Sequence, residues 1–262
     1  MIKIKIRNFF QKRINNAIHP LTKKLFQLME IKKTNLALAI DVTNSSELLY
    51  IADKIGPEIC LLKTHVDILK DFSTEVTKKL SILSAKHKFL IFEDRKFSDI
   101  GNTIQMQYKE GIYKIFYWAD IVNSFGFSAQ GIIDILKKEK SFQKKRGILL
   151  ISEMSNKNYF FSKKNRIFCY KLAKKYPDFI MGFICQEGFK DIRFIYLTPG
   201  IRFQHDKDDF DQKYRPPEEA LIKQNCDILI IGRGILQSKN LIQETKKYKI
   251  KCWDIYLRKI LA

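Results

Sequence analysis

Three observations predict the fold class of this 262-residue chain as α/β, a single (β/α)8 TIM barrel. Short apolar runs alternate with longer Lys-rich amphipathic stretches. There are eight such runs, which is the strand count of that barrel. Nearly every run is followed by a charged or hydrogen-bonding residue. Barrel enzymes place catalysis at the C-terminal ends of their strands.

The runs, in chain order, are Leu36–Ile40, Ile59–Leu62, Phe89–Phe92, Asp120–Val122, Gly147–Ile151, Phe179–Ile184, Phe194–Leu197 and Asp227–Ile231. Each is short and several are β-branched, as strands buried on both faces tend to be. Helical patterns fill most gaps. Ser45–Ile55 opens on a Ser cap with Glu47 in its first turn, Thr74–His87 follows the second run, and Lys164–Tyr176 stops before Pro177. The connections after the third and seventh runs are less regular. A doubly wound open sheet gives the same alternation, but it usually carries a Gly-rich first turn, and Asp41-Val42-Thr43-Asn44 is not one.

Composition narrows the class of protein. The chain is 45% hydrophobic, enough for a sizeable core and too much for a disordered protein. No apolar stretch is long enough to span a bilayer. The five cysteines form no C-x-x-C pair, so a disulfide framework or structural zinc site is not expected, and free thiols suit a reducing compartment. We therefore expect a cytoplasmic protein. The net charge of +20 suits an anionic partner, yet the Lys residues are spread over nearly every predicted helix, as on ordinary solvated faces. A nucleic-acid-binding protein would gather them on one face with exposed aromatics, and no RNA-binding motif is present. Residues 1–19 hold no acidic residue, which resembles an organelle transit peptide, but they also hold no Ser and read equally as a basic leader helix. The organisation expected is one barrel domain over 1–262, with 1–19 as that leader.

The polar residues that follow the runs are Asp41, Lys63, Asp94 with Lys96, Asn123, Ser155, Thr198 and Arg233. The most specific stretch is Phe92-Glu93-Asp94-Arg95-Lys96-Phe97-Ser98-Asp99-Ile100-Gly101-Asn102-Thr103, which contains D-x-K-x-x-D. Residues two apart on a strand share a face, so Asp94 and Lys96 are expected to point into the barrel mouth together. Lys63 can approach Asp94 from the neighbouring strand. The expected result is an alternating chain of charges, Lys63–Asp94–Lys96–Asp99, in which opposite neighbours keep each group ionised. His65 reads as a hydrogen-bonded structural histidine. Cys60 and Cys185 read as small core residues, and Trp118 and Trp253 as packing anchors.

These residues carry a resemblance. The blocks Leu62-Lys63-Thr64-His65-Val66-Asp67-Ile68-Leu69 and Phe92 to Thr103, with Asp41-Val42, Trp118-Ala119-Asp120, Glu153-Met154-Ser155, Leu197-Thr198-Pro199-Gly200 and Ile231-Gly232-Arg233-Gly234, keep their order over roughly residues 20 to 258. The chain resembles orotidine 5′-phosphate decarboxylases, in the branch shared by fungal enzymes and the C-terminal half of animal UMP synthase. The resemblance implies a (β/α)8 homodimer that converts orotidine 5′-monophosphate to UMP and CO2, the last step of de novo UMP synthesis, with no metal or organic cofactor. It implies Lys96 as proton donor to C6 and Asp94 as the carboxylate beside the departing CO2. It places Lys63 and Asp41 on the ribose hydroxyls, and Asp99 and Thr103 in the partner's site. It makes Ser155 the pyrimidine reader, Gln212 and Tyr214 a phosphate clamp, Arg233 the phosphate arginine, and Gly234 a backbone donor. Orotate phosphoribosyltransferase would reside on a separate chain.

The sequence departs from the pattern in places. Ala39 stands where Ser is common, Asn123-Ser124-Phe125-Gly126 replaces N-A-H-G, Asn156-Lys157-Asn158-Tyr159 lacks the expected glycine, and Gln204–Asp211 is Asp-rich instead of Gly-rich. None touches Lys63, Asp94, Lys96, Asp99 or Arg233, so an active enzyme is expected. A metal-dependent relative in the same superfamily would need a second carboxylate beside Asp94, where Lys63 stands.

Overall fold

Eight parallel strands pair in sequence order, and the first closes on the last, in a computed structural model that describes residues 2–141, 145–155, 163–203 and 214–262. The strands are β1 (Leu36–Ile40), β2 (Leu61–Thr64), β3 (Leu90–Phe97), β4 (Ile121–Phe125), β5 (Gly147–Ile151), β6 (Ile180–Ile184), β7 (Ile195–Thr198) and β8 (Ile228–Ile231). Leu36 to Leu38 pair with Leu229 to Ile231, which seals the barrel and excludes the open sheet. The helices that follow are α1 (Ile2–Asn16), α2 (Pro20–Lys32), α3 (Ser45–Ile55), α4 (Thr74–His87), α5 (Gly101–Gln105), α6 (Ile115–Trp118), α7 (Ala129–Lys138), α8 (Lys163–Lys175), α9 (Arg233–Leu236) and α10 (Leu241–Leu261).

Helices α3 and α4 coincide with the expected spans, because their signals are local. The cap of α3 is Asn44 and not the expected Ser: the Asn44 side chain accepts from the Ser46 and Glu47 amides, and Ser45 is already the first helical residue. The third connection is broken, as expected: α5 runs into a π-helical turn at Met106–Glu110 before α6. The seventh returns through another π-helical turn, Glu219–Lys223.

Six strands differ from the apolar runs in one direction. Strand β2 starts two residues later than its run and β3, β4, β6, β7 and β8 start one later, while β2, β3, β4 and β7 also end beyond theirs. An apolar run marks only the stretch enclosed on both faces. The strands continue into the mouth, where the inward side chains turn polar. Lys63, Asp94, Lys96 and Asn123 consequently lie on strands, not after them.

The first two helices close the opposite end. Arg13 is buried; it donates to both Asp227 oxygens at 3.1 and 2.9 Å and to the Phe194 carbonyl at 2.7 Å. His19 caps α2, its Nδ1 accepting from Leu21 N at 3.1 Å and its Nε2 facing the Arg146 carbonyl at 3.1 Å. Arg146, Phe194 and Asp227 sit at or just before the starts of β5, β7 and β8, so these contacts define the floor of the barrel. Phe10 is fully buried and stacks on Trp253 of α10 at 5.8 Å. The segment read from sequence as a leader is thus packed into the fold along α1. All five cysteines are free and buried. No helix among the described residues is long and apolar enough to cross a membrane.

Candidate active site

A cavity of about 250 Å3 opens at the C-terminal end of the strands. Asp41, Lys63, Asp94, Lys96, Asn123, Ser155, Tyr214, Arg233 and Gly234 line it, and Phe92, Ile151, Ile184 and Ile230 give it apolar walls. All eight strands or the loops directly following them therefore converge on one space.

Asp94 is the hub. Its Oδ2 lies 3.0 Å from Lys63 Nζ and 3.2 Å from His65 Nε2; its Oδ1 lies 2.9 Å from Lys96 Nζ and 2.6 Å from Asn123 Nδ2. Lys63 Nζ also reaches Asp41 Oδ1 at 3.1 Å. Burial by itself raises a carboxylic acid's pKa. Here the positive charge of Lys63, the hydrogen bond from His65 and the charge of Lys96 outweigh burial and hold Asp94 well below the usual carboxylate range. Lys63 mirrors this: burial favours its neutral form, but Asp94 and Asp41 raise its pKa and keep the ammonium. Four alternating charges result, Asp41–Lys63–Asp94–Lys96.

That order corrects the expected chain, which ran on from Lys96 to Asp99. Among the described residues no ion pair joins those two. Asp99 Oδ1 accepts instead from the Ile100 amide at 2.8 Å, and Asp99 lies outside the cavity lining, as does the exposed Thr103. The reason is that β3 has ended at Phe97, so the next residues turn away from the barrel axis. Asp41 takes the terminal place because β2 pairs with β1, and Ala39 lies opposite Lys63 in that register.

The simple alternation of side chains along β3 also fails locally. The pairing of β3 with β4 slips between Glu93 and Phe97, and Lys96 has φ +50°, in the left-handed region. Asn123 bridges the gap: its Oδ1 accepts from Lys96 N at 2.7 Å while its Nδ2 serves Asp94. The side chain replaces the missing ladder bond and fixes both ends of the D-x-K unit. Asn123 was legible as a polar strand-end residue, but its role needs the bulge, which the sequence does not display.

The far side of the cavity is cationic and aromatic. The Arg233 guanidinium sits 5.7 Å from the Tyr214 ring centre, and Arg202 lies over the same ring at 4.3 Å. Gly234 is packed so closely that a Cβ there would come within 2.8 Å of the Tyr248 hydroxyl. Thr198, a candidate from its position, is buried and accepts from Arg215 instead of facing the cavity. Ser155 lines the cavity. Gln212, the Asn156–Tyr159 stretch and Gln204–Asp211 lie outside the described residues.

A closed parallel barrel with a Lys–Asp–Lys array at its mouth and an arginine across the cavity defines a protein of the (β/α)8 enzyme class. The sequence profile described as "Orotidine 5'-phosphate decarboxylase / HUMPS family" matches residues 34–248, and the chain belongs to that family. Its relatives include the orotidine 5'-phosphate decarboxylases of Candida glabrata, 45% identical over 92% of this chain and 94% of that one, and of Phycomyces blakesleeanus, 42% identical over 91% and 90%. The uridine 5'-monophosphate synthase of Bos taurus is 41% identical over 92% of this chain but only 50% of its own length. Among solved structures, a putative orotidine-monophosphate-decarboxylase from Toxoplasma gondii superposes with TM-score 0.66 over 92% of this chain and 98% of that one at 16% identity. The Methanocaldococcus jannaschii orotidine 5'-monophosphate decarboxylase complexed with inhibitor BMP gives 0.61 over 83% and 97% at 22%. At those identities the superpositions speak for the fold.

Proposed function

We propose that the protein converts orotidine 5′-monophosphate to UMP and CO2, that Lys96 delivers the proton to C6, and that no metal or organic cofactor takes part. The observation that carries this reading is the Lys63–Asp94–Lys96 array on the floor of a cavity closed at its far side by Arg233. Loss of CO2 from an sp2 carbon leaves an electron pair that the pyrimidine ring delocalises poorly. An ammonium held at that carbon stabilises the developing charge and then protonates it. Asp94, kept anionic by its neighbours, orients Lys96 and stands beside the substrate carboxylate. Both Asp94 oxygens already face cations or N–H donors, which disfavours a divalent metal on that carboxylate.

Lys63 and Asp41 are assigned to the ribose hydroxyls and Ser155 to the pyrimidine. Arg233, Tyr214 and Gln212 are assigned to the phosphate, with the Gly234 amide. The planar donor fork of arginine suits a dianion, and phosphate binding energy remote from C6 is available for ordering the site. We infer further that the enzyme works in the cytoplasm as a homodimer, with Asp99 and Thr103 completing the partner's site. The exposed Ile100 between them supports a covered face there.

The test follows loss of orotidine 5′-monophosphate absorbance with and without a chelator. The wild type should turn over equally in both. Lys96→Ala should retain its fold, checked by circular dichroism, and lose turnover by at least a thousandfold. Chelator-sensitive activity restored by Mg2+, or an active Lys96→Ala protein, overturns the assignment.

A further inference from the structure

Glu93 is a fully buried carboxyl on the outer, apolar face of the barrel wall, directly beside the site yet outside it. Its neighbours Phe92 and Asp94 both line the cavity, so Glu93 points the other way, opposite Thr64 in the β2–β3 register. No cation pairs with it among the described residues. It has two partners instead: Thr64 Oγ1 at 2.7 Å from Oε2, and Val66 N donating to Oε1 at 2.9 Å. These are the two residues that flank His65. Between them the chain leaves β2 and enters the 3-10 turn Val66–Ile68, with His65 at φ −126°, ψ 87°. His65 does not line the cavity; its Nε2 rests on Asp94 Oδ2 at 3.2 Å.

A buried carboxyl without a cation is costly, and an apolar side chain would pack more cheaply at a purely structural position. We propose that Glu93 is a positioning residue for the reacting centre: its two hydrogen bonds clamp the Thr64-His65-Val66 corner and so hold His65 against Asp94. Glu93 acts through His65 and Asp94 and touches no substrate. Burial pushes its pKa up to about 8, against the hydrogen bonds of Thr64 and Val66, with Asp67 and Asp94 pushing the same way as burial. A neutral carboxyl at this place supplies both contacts, and so does a glutamine, whose amide oxygen accepts from Val66 while its NH2 donates to Thr64.

This inference rests on the decarboxylase reading for its kinetic arm only. Glu93→Ala should lower kcat tenfold or more with KM changed less than threefold. Glu93→Gln should restore kcat to within about twofold. In a His65→Ala background, Glu93→Ala should add less than about twofold, because the group it positions is already gone. Thr64→Val, which removes one of the two contacts and keeps the shape, should show a smaller loss with the same non-additivity, and it serves if Glu93→Ala does not fold. A second arm needs no turnover: the imidazole signals of His65 in 15N-histidine-labelled protein, identified by their loss in His65→Ala, should move in Glu93→Ala and stay in Glu93→Gln. Full additivity with His65→Ala, a Glu93→Gln protein as impaired as Glu93→Ala, or an unmoved His65 signal in Glu93→Ala overturns the proposal. A wild type without decarboxylase activity overturns the reaction assigned above and leaves the imidazole arm to decide this one.

Discussion

Lys96 holds a backbone conformation that costs a non-glycine residue about 1 kcal/mol or more, and it persists only because its surroundings over-determine it. Asn123 holds its amide and Asp94 holds its ammonium, so the strained residue is fixed at both ends. His19 shows the same dependence on surroundings, at the floor. Its ring is nearly solvent-free; burial, against the hydrogen bond at the Arg146 carbonyl, lowers its pKa from 6.5 to about 4. Nδ1 accepts from Leu21, so the proton is on Nε2 and protonation at Nδ1 breaks the cap. The folded state therefore favours the neutral ring, while the unfolded chain takes up the proton first. The contribution to stability is complete above pH 6.5 and is lost as pH falls from 6.5 towards 4. A difference of that size corresponds to about 3 kcal/mol. In urea unfolding, wild type minus His19→Asn should shrink by about that amount between pH 7.5 and pH 4, since all other titrations cancel. A difference that does not change with pH would show that the ring is not held neutral.

Among the elements, α1 contributes most beyond expectation. It is sparse in buried residues, but one of them is Arg13, whose ion pair with Asp227 is closed off by Tyr256 and approached by Lys259 at 3.7 Å. Asp227 in turn accepts from Tyr196 N at 3.2 Å, which ties β7 to β8 below the barrel. A pair of this kind is weak evidence of net stabilisation, but breaking it strands a buried charge at about 3 kcal/mol or more. Arg13→Ala should therefore lower Tm by roughly 6–12 °C in a scan at neutral pH, at about 2–4 °C per kcal/mol for a chain this long. Turnover at 25 °C should change little, because the pair lies at the end of the barrel opposite the cavity. An unchanged Tm would mean that α1 is not docked on this floor.

For the whole molecule, the open issue is where Asp99 works. Within one chain it has no place in the cavity, although only two residues separate it from Lys96. The proposed dimer resolves this, and subunit mixing tests it. Lys96→Ala and Asp99→Ala proteins should each be nearly inactive. In a mixed two-fold dimer one site carries both defects and the other neither. Random reassortment makes about half the dimers mixed, so activity should return to roughly a quarter of wild type. No recovery after verified exchange, or a fully active monomer, would place Asp99 in its own chain's site.

The sequence by itself determined the barrel and most of the residues at its mouth. Apolar runs, caps and amphipathic stretches are local signals, and a strand buried on both faces writes its burial directly into its composition, as β5 and β6 do. Lys63, Asp94 and Lys96 were legible because charges that follow an apolar strand are conspicuous. Only the tertiary structure decided which charges meet. Asp41 rather than Asp99 ends the array because strand register, not chain distance, sets who faces whom across β1 and β2. Asn123 and Glu93 acquired roles from a slipped pairing on one side of β3 and a regular one on the other. Arg13 looked like one more cation in a basic leader until Asp227, 214 residues away in sequence, was brought to it. A hydrogen bond needs its partner within about 3 Å, and that proximity is a property of the closed barrel, which no stretch of the chain carries alone.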